Sequence, residues 1–282
     1  MKRVPPLRTI GRAVLRRRGL GFIQDRDQQL ARQVYSDFDR LALPAPFGIS
    51  GFSVEQWMPD AESQGAANAC VGFALSTAEF ITLRARHGLD AEPPSRRWLY
   101  YWARWDDGYL DDVGCWPARA LQSMAERGVI PESYWPYSVA RINEKPPVRL
   151  RFDARERTGY RDSYEIRDRG DMTIAAVRAA FAARRAVAIG IPWDARLDRG
   201  APSTYDGPRG NGRGFHWDQR TQPLGNHMVT GVAMEYHAGE WWIRILNSHG
   251  RTWNLDGTAW LSEEYVRHAL SLIVVDPKEP GK

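Results

Sequence analysis

Gln64-Gly65-Ala66-Ala67-Asn68-Ala69-Cys70-Val71-Gly72-Phe73-Ala74 is a polar, small-residue approach that runs into an apolar helix, with a cysteine at the junction. Val71, Ala74, Leu75, Ala78, Ile81 and Leu83 supply the apolar face and His87-Gly88 closes it, so a helix is predicted over 69–87. A thiol at a helix start sits in the partial positive charge of the N-terminus, which favours thiolate over thiol. A lone cysteine in such a place is more often a small buried hydrophobe. The reading therefore turns on the other reactive groups.

Those groups are few: two cysteines and six histidines in 282 residues. His227 opens a predicted strand after a Gly-rich loop, where a base can face a groove. Asn247 ends a following strand in Ile245-Leu246-Asn247-Ser248-His249-Gly250. An amide there can accept from one ring nitrogen of His227 and turn the other toward sulfur. A neighbouring imidazolium would favour the thiolate further. A metal site is a weak reading, because Cys70 and Cys115 stand 45 residues apart and no Cys-x-x-Cys or His-x-x-x-His pair occurs. No phosphate loop of the Gly-x-x-x-x-Gly-Lys type occurs either. No metal and no cofactor are expected.

In order, these segments resemble the papain family of cysteine peptidases. Gln64-Gly65, then Cys70 and Gly72-Phe73-Ala74, resembles the nucleophile segment, with Gln64 six positions before the cysteine. Pro94-Ser95 through Leu99-Tyr100-Tyr101 resembles the helix that follows. Gly114-Cys115-Trp116-Pro117, and later Ser133-Tyr134-Trp135-Pro136-Tyr137, resemble the Gly-Gly segment and the Tyr-Pro-Tyr-like turn. Asn226-His227-Met228-Val229 is similar to the histidine strand, and Trp242–Ser248 to the asparagine strand. The likeness covers about residues 47–275. It implies that Cys70 attacks a peptide carbonyl, that His227 pairs with the thiolate and protonates the leaving amine, and that Asn247 orients His227. Gln64 and the Cys70 backbone N–H would form the oxyanion hole. Gly114, Cys115, Trp116, Pro117, Gly190, Asn226 and Met228 would line the substrate groove.

The departures from the family are specific. Ala67 stands where the family has a disulfide cysteine. Val71 replaces an aromatic residue, and Cys115 a second glycine on the edge that pairs with substrate. His249 replaces the tryptophan that shields the His–Asn hydrogen bond, and it reads as a structural substitute for that indole. The Cys70–His227 gap exceeds the usual spacing of roughly 130–150 residues, and the Gly-rich loop Asp198–Gly225 supplies the excess. His216 lies in that loop, within conceivable reach of the groove.

The resemblance implies an α+β, two-lobed papain-like fold, a helical lobe and a β-barrel-like lobe with the cleft between them. The expected division is a basic arm over 1–45, a helical lobe over 46–155 and a β-rich lobe over 156–282. Pattern alone supports the order. Helices are predicted over 24–41, 95–105, 117–127 and 173–184, and strands over 186–191, 227–236, 240–246 and 270–275. Hydrophobic residues make up 43% and charged residues 26%, as in ordinary globular domains, which excludes collagenous and mostly disordered chains. No apolar run is long enough to span a bilayer.

The net charge of +5 is unevenly placed. Lys2, Arg3, Arg8, Arg12, Arg16, Arg17 and Arg18 crowd the first twenty residues without one acid, leaving 32 basic against 34 acidic residues elsewhere. The arm reads as solvated, with docking on an acidic protein partner or on this chain's own body as the alternative. Nucleic acid is disfavoured, since the body carries no matching basic stripe. The arm is shorter than the family's inhibitory pro-regions, although blocking of the cleft stays open. No apolar signal core follows it, so a cytoplasmic location is expected.

Three functions follow. The first is thiol-dependent peptide-bond hydrolysis of a protein or peptide. The second keeps the thiol and changes the acceptor, as in deamidation of protein glutamine or transglutaminase-type transfer. The third is a catalytically weak papain-like domain serving as a binding or assembly component through its basic arm.

Overall fold

The computed structural model describes residues 20–23, 36–37, 50–88, 92–155, 161–166, 171–200, 207–210, 214–220 and 222–277. Its strands are β1 (Ser36–Asp37), β2 (Gly51–Ser53), β3 (Arg161–Glu165), β4 (Val187–Trp193), β5 (Gly214–Phe215), β6 (Gly225–His237), β7 (Glu240–Leu246), β8 (Thr258–Ser262) and β9 (Ser271–Pro277). Its helices are α1 (Cys70–His87), α2 (Arg96–Asp106), α3 (Pro117–Arg127), α4 (Val148–Arg155), α5 (Asp171–Ala182), α6 (Ala195–Arg199) and α7 (Glu263–Arg267). The first half is helical and the second strand-rich, an α+β architecture.

Helix α1 is apolar nearly all round, so it is buried as the central helix. Arg84, Arg86 and His87 occupy its last turn, where cations complement the carbonyl end. Helix α2 begins where the Ser95 hydroxyl accepts the Trp98 N–H at 3.2 Å, a cap worth about 1 kcal/mol. Pro117 opens α3, a position where its missing N–H costs nothing.

The sheet runs β1-β3-β9-β4-β6-β7-β8-β5, and β2 pairs with β6 off that path. β6 is its spine, antiparallel to both β4 and β7. β4 and β9 are almost wholly buried, as strands covered on both faces must be. Helix α1 packs against β6 and β9, and α2 and α3 pack against each other beside it. The first residue of α1 thereby stands next to the start of β6.

The helices predicted over 69–87, 95–105, 117–127 and 173–184 are α1, α2, α3 and α5, and the predicted strands are β4, β6, β7 and β9. The helix predicted over 24–41 falls mostly outside the described residues. Within it, Ser36–Asp37 is a strand, pairing parallel with Tyr164–Glu165 of β3. The open edge of β3 supplies backbone partners that spacing of apolar residues does not foresee. The loop 198–225 is not wholly irregular: β5 pairs parallel with Trp260-Leu261 of β8. None of the described helices is long and apolar enough to cross a membrane.

Candidate active site

Cys70, His227, Asn247 and Gln64 are all buried, and the backbone of Met228, next to His227, reaches the Cys70 sulfur. Cys70 is the first residue of α1, and His227 is the third of β6. Asn247 follows β7. The β6–β7 register pairs Thr230 with Leu246, so its continuation sets His227, Asn247 and His249 on one face. His227 Nε2 lies 2.7 Å from Asn247 Oδ1. The same Oδ1 accepts the Ser248 N–H at 2.8 Å. That fixes the amide orientation, and with it Nε2 as the ring's donor.

Gln64 is tied to the asparagine segment through its backbone. Its N–H donates to Ser248 O at 2.8 Å, and Gly250 N–H donates to Glu62 O at 3.1 Å. Its side chain is held at both ends: Nε2 donates to Ala67 O at 2.6 Å, and Oε1 accepts from the Ser248 hydroxyl. The Tyr137 hydroxyl donates to its backbone carbonyl at 2.8 Å.

An indole does cover His227, and it comes from another strand. Trp193, the last residue of β4, lies 4.5 Å from the His227 ring, centroid to centroid. His249 lies 4.8 Å from His227 and 5.4 Å from Trp193, with Trp253 5.9 Å beyond Trp193. The reading of the sequence missed Trp193. Its signal was a tryptophan one residue past the apolar run that ends at Pro192.

The groove beside Cys70 is filled by the chain itself. Cys115 N–H donates to Gly21 O at 2.9 Å and Ile23 N–H to Cys115 O at 3.2 Å, a parallel bridge centred on Phe22. Gly114 holds a φ of +97°, and a β-carbon there would lie 2.1 Å from Gly21 O. Across the groove, a β-carbon on Gly190 would lie 2.7 Å from Phe22 Cζ, and one on Gly225 would lie 3.1 Å from Leu20. Leu20 and Phe22 are buried. Residues 20–23 therefore dock on the body of the chain, while Lys2 to Arg18 lie outside the described residues.

This covering sets the electrostatics. Cys70 is fully buried, which pushes its thiol up to about 11, while backbone hydrogen bonds from Met228 and Gly21 oppose the rise. Burial thus favours the thiol over the thiolate, and the Gly21 backbone of the arm works against that.

Of the other groove residues, Gly114, Cys115 and Gly190 touch the arm, and the Met228 backbone reaches the sulfur. Asn226 pairs with Pro192 in the β4–β6 ladder. Trp116 and Pro117 form the start of α3, directly after the paired edge. His216 packs on Trp242 at 4.7 Å and faces Glu240, both on β7.

This arrangement is the papain-like cysteine-protease fold. Xylellain, a cysteine protease from Xylella fastidiosa, superposes with a TM-score of 0.71 at 19% identity, over 93% of this chain and 97% of that one. Digestive procathepsin L2 of Tenebrio molitor gives 0.67 at 17% identity, over 96% and 81%. Procathepsin B S9 of Trypanosoma congolense gives 0.66 at 12% identity, over 97% and 91%. No family model and no curated protein matches the sequence.

Proposed function

We propose that the chain is a thiol-dependent peptide-bond hydrolase, with Cys70 as nucleophile, His227 as base and acid, Asn247 as orienter and Gln64 as oxyanion donor. The supporting observation is the buried 2.7 Å contact from His227 Nε2 to Asn247 Oδ1 beside the head of α1. With Nε2 committed to Asn247, Nδ1 is the nitrogen that exchanges a proton with the Cys70 thiol.

In the reaction, the Cys70 thiolate attacks the carbonyl carbon and a C–S bond forms. The oxyanion takes hydrogen bonds from the Gln64 amide and the Cys70 backbone N–H, each donor worth about 10²–10³ in rate. Imidazolium His227 gives its proton to the amide nitrogen as the C–N bond breaks. Water, deprotonated by His227, then attacks the thioester and releases the acid and the thiolate. Substrate entry requires that Leu20–Ile23 leave the groove, because Cys70 has no exposure while they are there.

Cleavage of an unfolded protein by the full chain carrying Phe22→Ala, compared with the same chain carrying Cys70→Ala as well, tests the reading. Loss of cleavage with Cys70→Ala is expected. Cleavage that survives it would sink the assignment. A mass gain of about one unit on the intact substrate would instead indicate deamidation.

A further inference from the structure

We propose that Asp112 is a positioning residue, a clasp that fixes the turn carrying the nucleophile to the groove edge at Gly114-Cys115. The inference rests on the thiol-hydrolase reading of Cys70. Asn68, two residues before Cys70, donates its backbone N–H to Asp112 Oδ1 at 2.9 Å. The Asn68 side-chain amide donates to the Asp112 backbone carbonyl at 2.7 Å. The same Oδ1 receives the Tyr100 hydroxyl at 2.6 Å. The Tyr100 oxygen in turn accepts the Gly114 N–H at 3.0 Å, and the Tyr109 hydroxyl donates to the Gly114 carbonyl at 3.1 Å. One carboxylate oxygen therefore links the nucleophile's turn, through a single phenol, to the groove edge at Gly114.

The linkage is rigid because its middle member cannot move. Tyr100 is fully buried, and the Arg104 guanidinium lies 3.9 Å over its ring. Arg104 is itself held by the Leu110 carbonyl at 2.6 Å, Asn143 Oδ1 at 2.7 Å and the Ile142 carbonyl at 2.8 Å. Burial holds the Tyr100 hydroxyl well above its ordinary value, so it stays a donor across the working pH range.

No covalent tie does this work, since neither Cys70 nor Cys115 is in a disulfide and Ala67 occupies the family's disulfide position. Hydrogen bonds to a carboxylate are the strong kind, and they resist reductant. The clasp sets where the first turn of α1 begins, and thus where sulfur stands relative to His227. A misplacement of about 1 Å at such a site can cost roughly 10²-fold in rate.

The test uses the full chain with Phe22→Ala to open the groove, and reads carbamidomethylation of Cys70 at pH 5.5 by peptide mass. An ordinary thiol is only about 0.1% ionised there, so the rate reports the assembled ion pair. Asp112→Ala should slow labelling at least about tenfold, well below its unfolding midpoint. Asp112→Asn keeps an acceptor oxygen and should stay within about threefold of the parent. Added reductant should change neither rate. Labelling of Asp112→Ala at the parent's rate, or equal slowing by Asp112→Asn, overturns the clasp. Should Asp112→Ala fail to fold, Tyr100→Phe is read instead: slowing of about threefold supports the clasp, and no change overturns it. A parent that labels quickly yet cleaves no peptide sinks the hydrolase reading while the clasp comparison stands. A parent that labels like an ordinary thiol overturns both.

Discussion

The ring of Phe22 occupies the space that a side chain on Gly190 would need, with an ideal β-carbon falling 2.7 Å from Phe22 Cζ. The two residues lie far apart in sequence, and their contact is the anchor of the arm in the groove. Phe22→Ala removes that anchor. Loss of a buried phenyl ring costs about 3–5 kcal/mol, so Cys70 alkylation at pH 7.5 should rise at least tenfold in the otherwise intact chain. Peptide mapping that finds Cys70 as protected as before would show that the backbone pairing at Cys115 suffices alone.

On the proposed hydrolase reading, Gly190 also shapes what a substrate can place there. A large aromatic side chain fits because position 190 carries no side chain. In the opened chain, Gly190→Val should lower kcat/KM for peptides presenting Phe by about 10–200-fold relative to those presenting Ala, the range for steric discrimination in an apolar pocket. Competition between the two peptides, followed by mass spectrometry, gives the ratio. An unchanged ratio would place the aromatic subsite elsewhere.

Trp193 packs 4.5 Å from the imidazole of His227 and is the proposed shield of the hydrogen bond from His227 to Asn247. Trp193→Phe should keep most activity. Trp193→Ala should lower kcat about tenfold and destabilise the fold by about 3–5 kcal/mol. Rates taken far below the unfolding midpoint separate the two effects. Equal kcat in the Ala and Phe variants would assign the shielding to His249 and Trp253.

The buried thiol makes the covered state pH-dependent. Its value is raised from 9.0 to about 11 in the covered state, so that state binds the proton more tightly than the unfolded chain does. The resulting stabilisation is complete below pH 9 and is lost as pH rises toward 11. Alkylation of the intact chain should therefore stay slow through neutrality and climb steeply above pH 9, whereas Phe22→Ala should already react at pH 5.5. Identical profiles for the two chains would remove burial by the arm as the cause.

The helical half was legible because its punctuation is local: Ser95 caps α2, Pro117 starts α3, and Gly88 and Gly128 follow the helices they end. The candidate residues Cys70, His227, Asn247 and Gln64 stood out by type and order, since few groups in the chain can do nucleophilic chemistry. What the sequence hid depends on contacts between distant segments. The Asp112–Asn68 pairing joins positions 44 residues apart, and Trp193 reaches His227 from a neighbouring strand. β1 exists only because β3 offers it an edge. Helix α4 escaped notice because it buries little beyond Leu150 and Ala154 and is otherwise studded with arginine.

The arm that covers Cys70 belongs to the same polypeptide, and Ser36–Asp37 stitches it to β3 beyond the groove. Leu20–Ile23 is therefore a tethered ligand, present at an effective concentration of about millimolar for short linkers. A single cut between residues 23 and 36 would sever that tether and leave the described contacts of Leu20–Ile23 to hold a separate peptide subject to dilution. Occupancy then follows peptide concentration and intrinsic affinity, and β1 can stay paired with β3 throughout.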